Sequence, residues 1–204
     1  MKIGIMGGTF DPIHKGHLIL AKAAYQEFQL NEVWFLPNGN PPHKTSQAPG
    51  ASAAQRVAMI KQAIAETPYF KLEEYEVLRK EKSYSYKTME HLKQVYPDHV
   101  FYFIIGADSL FSIEEWMRPE RLLANCIILA ACRGEFDTTA KMEKRITYLK
   151  QKYDARIEIL PAPLMEISSQ EVREALRCGE SKLHSYLPEQ TLNYIKTNHL
   201  YRGG

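Results

Sequence analysis

Short apolar runs alternate with segments of helical spacing along the whole chain, and this alternation limits the fold most. The apolar runs have the length of buried strands and lie at residues 3–6, 32–36, 71–74, 100–105, 126–131 and 156–160. The segments with helical spacing lie at residues 15–28, 52–66, 86–96, 118–125, 139–152, 169–177 and 189–198. Strands that alternate with helices form a parallel sheet covered on both faces. The sequence therefore predicts an α/β, Rossmann-like, doubly wound fold with a mostly parallel sheet.

The length of the chain favours one domain. With 204 residues it can bury well over half of the surface that its unfolded form exposes. No internal repeat, low-complexity tract or linker interrupts the alternation. We therefore expect a single domain over residues 1–204, with a C-terminal helical part from about residue 168.

Composition argues against several classes of protein. The net charge of +2 leaves no excess of positive charge for sequence-independent binding of nucleic acid. The cysteines Cys126, Cys132 and Cys178 are odd in number and lack the spacing of metal ligands. No apolar run reaches the length of a membrane span, and the N-terminus lacks a signal peptide pattern. We expect a cytoplasmic protein that binds neither nucleic acid nor membrane.

The segment after the first apolar run carries residues suited to binding phosphate. Gly7 and Gly8 predict a turn at which phosphate can approach the main chain, and Thr9 adds a hydroxyl. His14 and His17 share one face at the start of the next helix, where free amides and the helix dipole favour an anion. The imidazoles can be neutral or charged near pH 7. A zinc site is the alternative, but no Cys pair or Glu lies nearby at metal spacing.

A second segment suited to an anion precedes the helix at residues 169–177. Ser168 and Glu171 form a capping box, which marks a helix N-terminus whatever the function. Arg173 lies one turn further, where a cation is unfavourable unless a negative group compensates it. A triphosphate is one such group, so the sequence indicates a second phosphate contact here.

Three further features have both a structural and a functional interpretation. The loop over residues 37–50, with four prolines and two glycines, is either a surface loop or a substrate-binding loop in which Lys44, next to His43, contacts phosphate. Asp108 is either a helix cap after Gly106 or a nucleotide contact. Trp116 is either a core residue or part of a ligand pocket.

The first segment resembles the signature of the nucleotidylyltransferases, Gly-x-(Thr/Ser)-Phe-Asp-Pro-x-His-x-Gly-His, over residues 7–17. Residues 167–173 match a second mark, Ile-Ser-(Ser/Thr)-x-x-(Ile/Val)-Arg. Within that group the chain resembles the bacterial nicotinate-nucleotide adenylyltransferases in five more segments. They are residues 36–38, 40–44, 83–85, 105–110 with Trp116, and 200–202. One departure is Met117, where relatives often carry an aromatic residue.

This resemblance implies adenylyl transfer from ATP, with Mg²⁺, to nicotinate mononucleotide in NAD biosynthesis, giving deamido-NAD and pyrophosphate. It implies phosphate stabilisation by His14, His17 and Arg173, and no protein metal ligand. It implies nucleotide binding by Gly7, Gly8, Thr9, Phe10, Gly106, Asp108, Ile167, Ser168 and Ser169. It implies substrate binding by Asn40, Lys44, Tyr84, Ser85, Trp116 and Arg133. In the family the tryptophan stacks on the pyridine ring and the amides matching Tyr84 and Ser85 receive the carboxylate. A homodimer is also implied.

Three other functions remain open from the sequence. A related transferase would use phosphopantetheine, nicotinamide mononucleotide or another phosphorylated cofactor precursor. A non-catalytic module would bind the nucleotide without turnover. A zinc-dependent hydrolase would use His14 and His17 as metal ligands. Substrate competition, pyrophosphate release and metal content respectively distinguish these functions.

Overall fold

A six-stranded parallel sheet forms the centre of the molecule. We analysed a computed structural model that describes residues 1–40, 50–132, 136–161, 167–180 and 182–201, without the side chains of residues 136–138. The strands are β1 (Lys2–Gly8), β2 (Glu32–Pro37), β3 (Phe70–Leu72), β4 (Val100–Gly106), β5 (Ile127–Cys132) and β6 (Arg156–Pro161). Every neighbouring pair is parallel, in the order β3-β2-β1-β4-β5-β6. The α/β class predicted from the alternation is confirmed.

Helices cover both faces of this sheet. The described ones are α1 (Lys15–Glu27), α2 (Ala53–Ile64), α3 (Ser85–Val95), α4 (Ala107–Ser112), α5 (Pro119–Asn125), α6 (Phe136–Tyr153), α7 (Ser169–Cys178), α8 (Leu183–Tyr186) and α9 (Glu189–Thr197), with a 3₁₀ helix at Ile113–Glu115. Successive strand side chains point to opposite faces. Trp34 and Leu36 accordingly pack in one core cluster, while Val33 and Phe35 pack in the other. The sheet is therefore doubly wound. No helix in the described ranges has both the length and the hydropathy of a membrane crossing.

The direction of winding reverses between β1 and β4. The chain runs outward from β1 through β2 to β3, then returns to the other side of β1 to form β4. In open parallel sheets, the carboxyl ends of two strands that flank such a reversal leave a crevice where ligands bind. The fold therefore predicts a ligand-binding crevice at the ends of β1 and β4, at Gly8 and Gly106.

Three short elements were not predicted: α4, the 3₁₀ helix and α8, with 6, 3 and 4 residues. Elements this short show no helical periodicity in sequence. Because Gly106 is the N-cap of α4, the interpretation of Asp108 as a helix cap is wrong. The predicted elements were found with shifts at their ends; β3, for instance, spans 70–72 and not 71–74.

Candidate active site

A cavity of about 350 Å³ lies at the reversal between β1 and β4. Its wall includes Gly7 and Gly8 from β1, and Ile105 and Gly106 from β4. Its apolar part is formed by Phe103, Trp116, Met117 and Leu122. The volume lies in the range of small-molecule sites, and the mixture of apolar surface with a few polar groups is typical of them.

Seven of the predicted site residues line this cavity, and they come from five separate places in the fold. They are Gly7, Gly8, His17, Tyr84, Ser85, Gly106 and Trp116. The other described candidates lie outside its wall: Thr9, Phe10, His14, Asn40, Asp108, Ile167, Ser168, Ser169 and Arg173. Lys44 and Arg133, with His43 and most of the predicted loop, lie outside the described residues. The fold thus brings predicted residues from the N-terminal motif and from the middle of the chain together around one cavity.

Gly7 and Gly8 do not form the predicted turn, because β1 continues through both of them. The chain turns at Asp11 and Pro12, directly after Phe10, which has a φ of +52°. The glycines instead provide space: a Cβ on Gly8 would lie 3.2 Å from the Phe10 ring, and one on Gly7 would lie 3.4 Å from the Phe103 ring. Their lack of side chains leaves the main chain open to the cavity.

The two histidines form a stacked pair at the start of α1. His14 is the N-cap, and its amide donates to Nδ1 of His17 over 3.2 Å. The ring centroids are 3.7 Å apart, and the edge of Phe10 packs on His17 at 4.9 Å. Because Nδ1 of His17 accepts a hydrogen bond, the neutral ring carries its proton on Nε2. His17 therefore presents a hydrogen-bond donor at the cavity wall.

Both imidazoles are neutral at pH 7 in the ligand-free protein. Burial lowers the pKa of His14 to about 4, although the nearby Glu171 carboxylate opposes the shift. Burial, and then the neighbouring His14, lower the pKa of His17 well below its ordinary value of 6.5. The sequence left both the neutral and the charged form of these histidines open, and the structure favours the neutral form. A bound polyphosphate would raise both pKa values, because an anion favours the charged form.

Arg173 is compensated by a residue of the protein itself. Its Nη1 donates to the carbonyl oxygen of Asp11 over 2.7 Å and lies 3.8 Å from the Asp11 carboxylate. The sequence predicted a triphosphate as the source of negative charge and did not indicate Asp11 as the partner of Arg173. The Arg173 side chain remains 20% exposed, so part of the guanidinium is accessible to an anion.

Asp11 was not among the predicted site residues, yet it organises the turn. Its carboxylate is 2% exposed. It accepts hydrogen bonds from the amides of Gly50 and Ala51 at 2.8 and 3.0 Å, and from the hydroxyl of Tyr201 at 2.7 Å. The only indication in the sequence that Asp11 belongs to the site was its place in the Phe-Asp-Pro motif. Asp11 therefore joins the turn to two segments that are distant in sequence.

Arg56 was also missed, because an arginine on an amphipathic helix is expected to face solvent. Its side chain is 1% exposed. The guanidinium donates to the carbonyl oxygens of Thr9 at 2.6 Å and Asn38 at 2.9 Å, which follow β1 and β2. Burial lowers the pKa of Arg56 below its ordinary value, and the nearby Asp11 carboxylate opposes this shift. With one buried carboxylate between Arg56 and Arg173, the base of the turn carries net positive charge, which favours an anion.

The capping box at α7 is confirmed. The Ser168 hydroxyl accepts from the amide of Glu171 at 3.2 Å, and the Glu171 carboxylate accepts from the amide of Ser168 at 2.7 Å. The Ser169 hydroxyl donates to the carbonyl oxygen of Pro12 at 2.9 Å, which fixes α7 against the turn. These serine donors are thus already paired within the protein.

The other end of the cavity is formed by Trp116 and the start of α3. Trp116 ends the 3₁₀ helix, lies half-buried against Phe103 with ring centroids 6.4 Å apart, and faces the cavity. Tyr84 is the N-cap of α3, and no side chain caps the helix there. The first amides of a helix lack partners within the helix. Trp116 both packs against the core and lines the cavity, and its contact with a ligand stays a prediction.

Comparison with known proteins gives a consistent result. A family model described as cytidylyltransferase-like matches residues 5–175. A Lachnoclostridium phytofermentans protein named probable nicotinate-nucleotide adenylyltransferase is 42% identical over 98% of this chain and 98% of its own. An Exiguobacterium sibiricum protein of the same name is 40% identical over 98% and 99%. The structure of Plasmodium falciparum nicotinic acid mononucleotide adenylyltransferase complexed with NaAD has a TM-score of 0.77 at 22% identity, covering 98% of this chain and 97% of that one.

Proposed function

Because the chain belongs to the nicotinate-nucleotide adenylyltransferase family, within the cytidylyltransferase-like group, we propose that it transfers the adenylyl group of ATP to nicotinate mononucleotide. The products are deamido-NAD and pyrophosphate. The observation that carries this proposal is one cavity whose wall holds Gly7, Gly8 and His17 together with Trp116 and the first residues of α3. The first group suits the phosphate of a mononucleotide, and the second suits its aromatic ring.

The reaction requires the 5′-phosphate oxygen of the mononucleotide to form a bond to the ATP α-phosphorus while the bond to pyrophosphate breaks. The attacking oxygen is already negative, so no general base is needed. The obstacle is repulsion, since two unit charges 4 Å apart oppose each other by about 4 kcal/mol at an effective dielectric near 20. We assign charge stabilisation to His17, His14 and Arg173, and main-chain contacts to Gly7 and Gly8.

The start of α3 supports the choice of an acidic substrate. Its first amides and the positive end of the helix dipole favour a carboxylate over a carboxamide. The carboxamide N–H groups would point at the N–H groups of the helix, and two donors cannot form a hydrogen bond. Trp116, in the wall of the same cavity, offers an aromatic face for the pyridine ring. In this proposal Tyr84 and Ser85 receive the nicotinate carboxylate.

Mg²⁺ enters the proposal with ATP and not as a protein-bound cofactor. Within the described ranges, no three His, Cys, Asp or Glu side chains are grouped so as to hold a metal ion. Mg²⁺ commonly binds substrate phosphates and water with few protein ligands. Binding of Mg²⁺ together with ATP therefore does not require a cluster of protein ligands. The same finding weighs against the zinc-hydrolase alternative. A cytoplasmic location and a homodimer remain proposals from the family resemblance.

The test is pyrophosphate release from ATP and Mg²⁺ with nicotinate mononucleotide, nicotinamide mononucleotide or phosphopantetheine as separate acceptors, with products identified by mass. We expect fast release with the first acceptor and formation of deamido-NAD. Fast release with phosphopantetheine would support the related transferase. Nucleotide binding without release would support the non-catalytic module, and loss of activity with a tight zinc chelator would support the hydrolase.

A further inference from the structure

A buried carboxyl group in the cavity wall, that of Glu76, has no role in the chemistry proposed above. Its side chain is 6% exposed and lines the cavity beside Ser83, Tyr84 and Ser85. Glutamate is almost never buried unless it is paired. A carboxyl group next to the site proposed for a substrate carboxylate therefore needs an explanation in terms of that substrate.

The hydrogen-bond partners of this carboxyl group are hydroxyls. The Thr88 hydroxyl oxygen lies 2.6 Å from Oε1 of Glu76, and Ser83 also hydrogen-bonds the carboxyl group. The Thr88 hydroxyl also lies 3.4 Å from the carbonyl oxygen of Tyr84. A hydroxyl has a single proton to donate. Thr88 donates to Oε1 of Glu76, and a protonated Glu76 can carry its single proton on the other carboxyl oxygen, where it is available to a ligand. The geometry therefore accommodates a neutral carboxyl.

Glu76 also lines a second cleft, together with Tyr75, Arg79, Glu81, Lys82, Tyr84 and Lys87. Arg79 is paired with Glu81 at 2.9 Å. Across the cavity the titratable group is His17. Burial raises the pKa of Glu76, and the hydrogen bonds from Thr88 and Ser83 oppose this shift.

We propose that Glu76 selects between acidic and amide pyridine nucleotides, admitting the carboxylate only while its own carboxyl group is protonated. The inference rests on the proposed function, in which the start of α3 receives the pyridine substituent. A protonated Glu76 can donate a hydrogen bond to a carboxylate. An ionised Glu76 repels a carboxylate but accepts a hydrogen bond from the nitrogen of a carboxamide. The preference for the acid should therefore fall as the pH rises.

The experiment measures kcat/KM for nicotinate and nicotinamide mononucleotides between about pH 5.5 and about pH 8.5, with ATP and Mg²⁺. Both nucleotides carry the same 5′-phosphate, so its ionisation cancels in the ratio of the two values. In the parent protein we expect the acid-to-amide ratio to fall about tenfold per pH unit above the pKa of Glu76. In Glu76→Gln the ratio should not change with pH. Glu74→Gln is the matched control, since Glu74 is only partly buried and pairs with Lys61 at 3.4 Å.

A ratio independent of pH in the parent, or an equal slope in Glu76→Gln, would overturn the inference. If Glu76→Gln does not fold, Thr88→Val replaces it. Loss of the Thr88 hydrogen bond should raise the pKa of Glu76. The acid-to-amide ratio should then begin to fall at a higher pH than in the parent. If it falls at the same pH, Glu76 does not set the preference. Absence of pyrophosphate release with both nucleotides in the parent would overturn the proposed function itself.

Discussion

The hydroxyl of Tyr201 donates a 2.7 Å hydrogen bond to the carboxylate of Asp11, which lies 190 positions earlier in the chain. Burial and the neighbouring carboxylate raise the pKa of Tyr201, so its hydroxyl remains a donor. The same carboxylate accepts the amides of Gly50 and Ala51. One side chain of the turn therefore holds two segments that are distant in sequence.

Tyr201→Phe should destabilise the protein by about 1–3 kcal/mol, because a buried carboxylate loses one of its donors. Urea unfolding monitored by circular dichroism measures this change. Turnover should fall as well, since the turn that carries Phe10 becomes less well fixed. Tyr194→Phe, on the C-terminal helix α9, is the control and should retain parental stability. Equal stability of Tyr201→Phe and the parent would contradict the role given to this hydrogen bond.

His17→Ala should lower kcat by about 10²–10³, the effect of removing one preorganised donor at a developing charge. The variant should fold, because His17 is only half-buried. Steady-state pyrophosphate release measures kcat, and a thermal melt checks folding. His184→Ala, which alters an exposed histidine on α8, is the control. A folded His17→Ala protein with parental kcat would show that His17 does not contribute to the reaction.

Acid should destabilise the protein through His14. Burial lowers its pKa to about 4 from the ordinary value of 6.5, so between these values the unfolded chain binds more protons than the folded one. Stability is therefore full above pH 6.5 and falls as the pH approaches about 4, by at most about 3 kcal/mol. Urea unfolding at several pH values should show a smaller slope for His14→Gln than for the parent. An unchanged slope would contradict this assignment.

Glu114 positions the segment that ends at Trp116. Its carboxylate accepts from Lys152 at 2.7 Å, Tyr153 at 2.9 Å and Arg145 at 2.7 Å, which ties the 3₁₀ helix to α6. Hydrogen bonds from Lys152, then Tyr153, lower the pKa of Glu114 to about 2, so it is ionised at neutral pH.

Glu114→Ala should therefore raise KM for nicotinate mononucleotide by up to about tenfold, since Trp116 is displaced, while kcat and KM for ATP change little. Initial-rate kinetics with each substrate varied in turn separate these effects. Glu115→Ala, which changes the exposed neighbour, is the control. An equal rise in both KM values would instead indicate general loss of structure.

The parts of the fold and site that the sequence predicted correctly depend on local spacing. The alternation of strands and helices, the capping box of Ser168 and Glu171, and the position of His14 at the start of α1 all follow from residues within one or two turns of each other. The predicted Gly7-Gly8 turn was wrong because a glycine pair does not reveal whether the adjacent strand has ended; here the turn falls at Asp11 and Pro12.

The missed residues depend on contacts between distant segments. Arg56 lies on an amphipathic helix, and only the packing of α2 below β1 and β2 brings it to the carbonyl oxygens of Thr9 and Asn38. Glu76 lies in a charged, polar stretch of sequence, and its burial follows from its packing against Ser83 and Thr88 at the start of α3. Such placements follow from tertiary structure, which local patterns do not encode.

The chain has two tryptophans, and the fold gives them opposite surroundings. Trp34 is buried in the core, where its indole N–H donates to Glu32 at 2.7 Å, whereas Trp116 faces the cavity. A Trp34→Phe protein would therefore emit ultraviolet fluorescence from a single indole at the cavity wall. Quenching of that emission on mixing with substrate would provide an optical record of ring stacking, read in real time and independent of turnover.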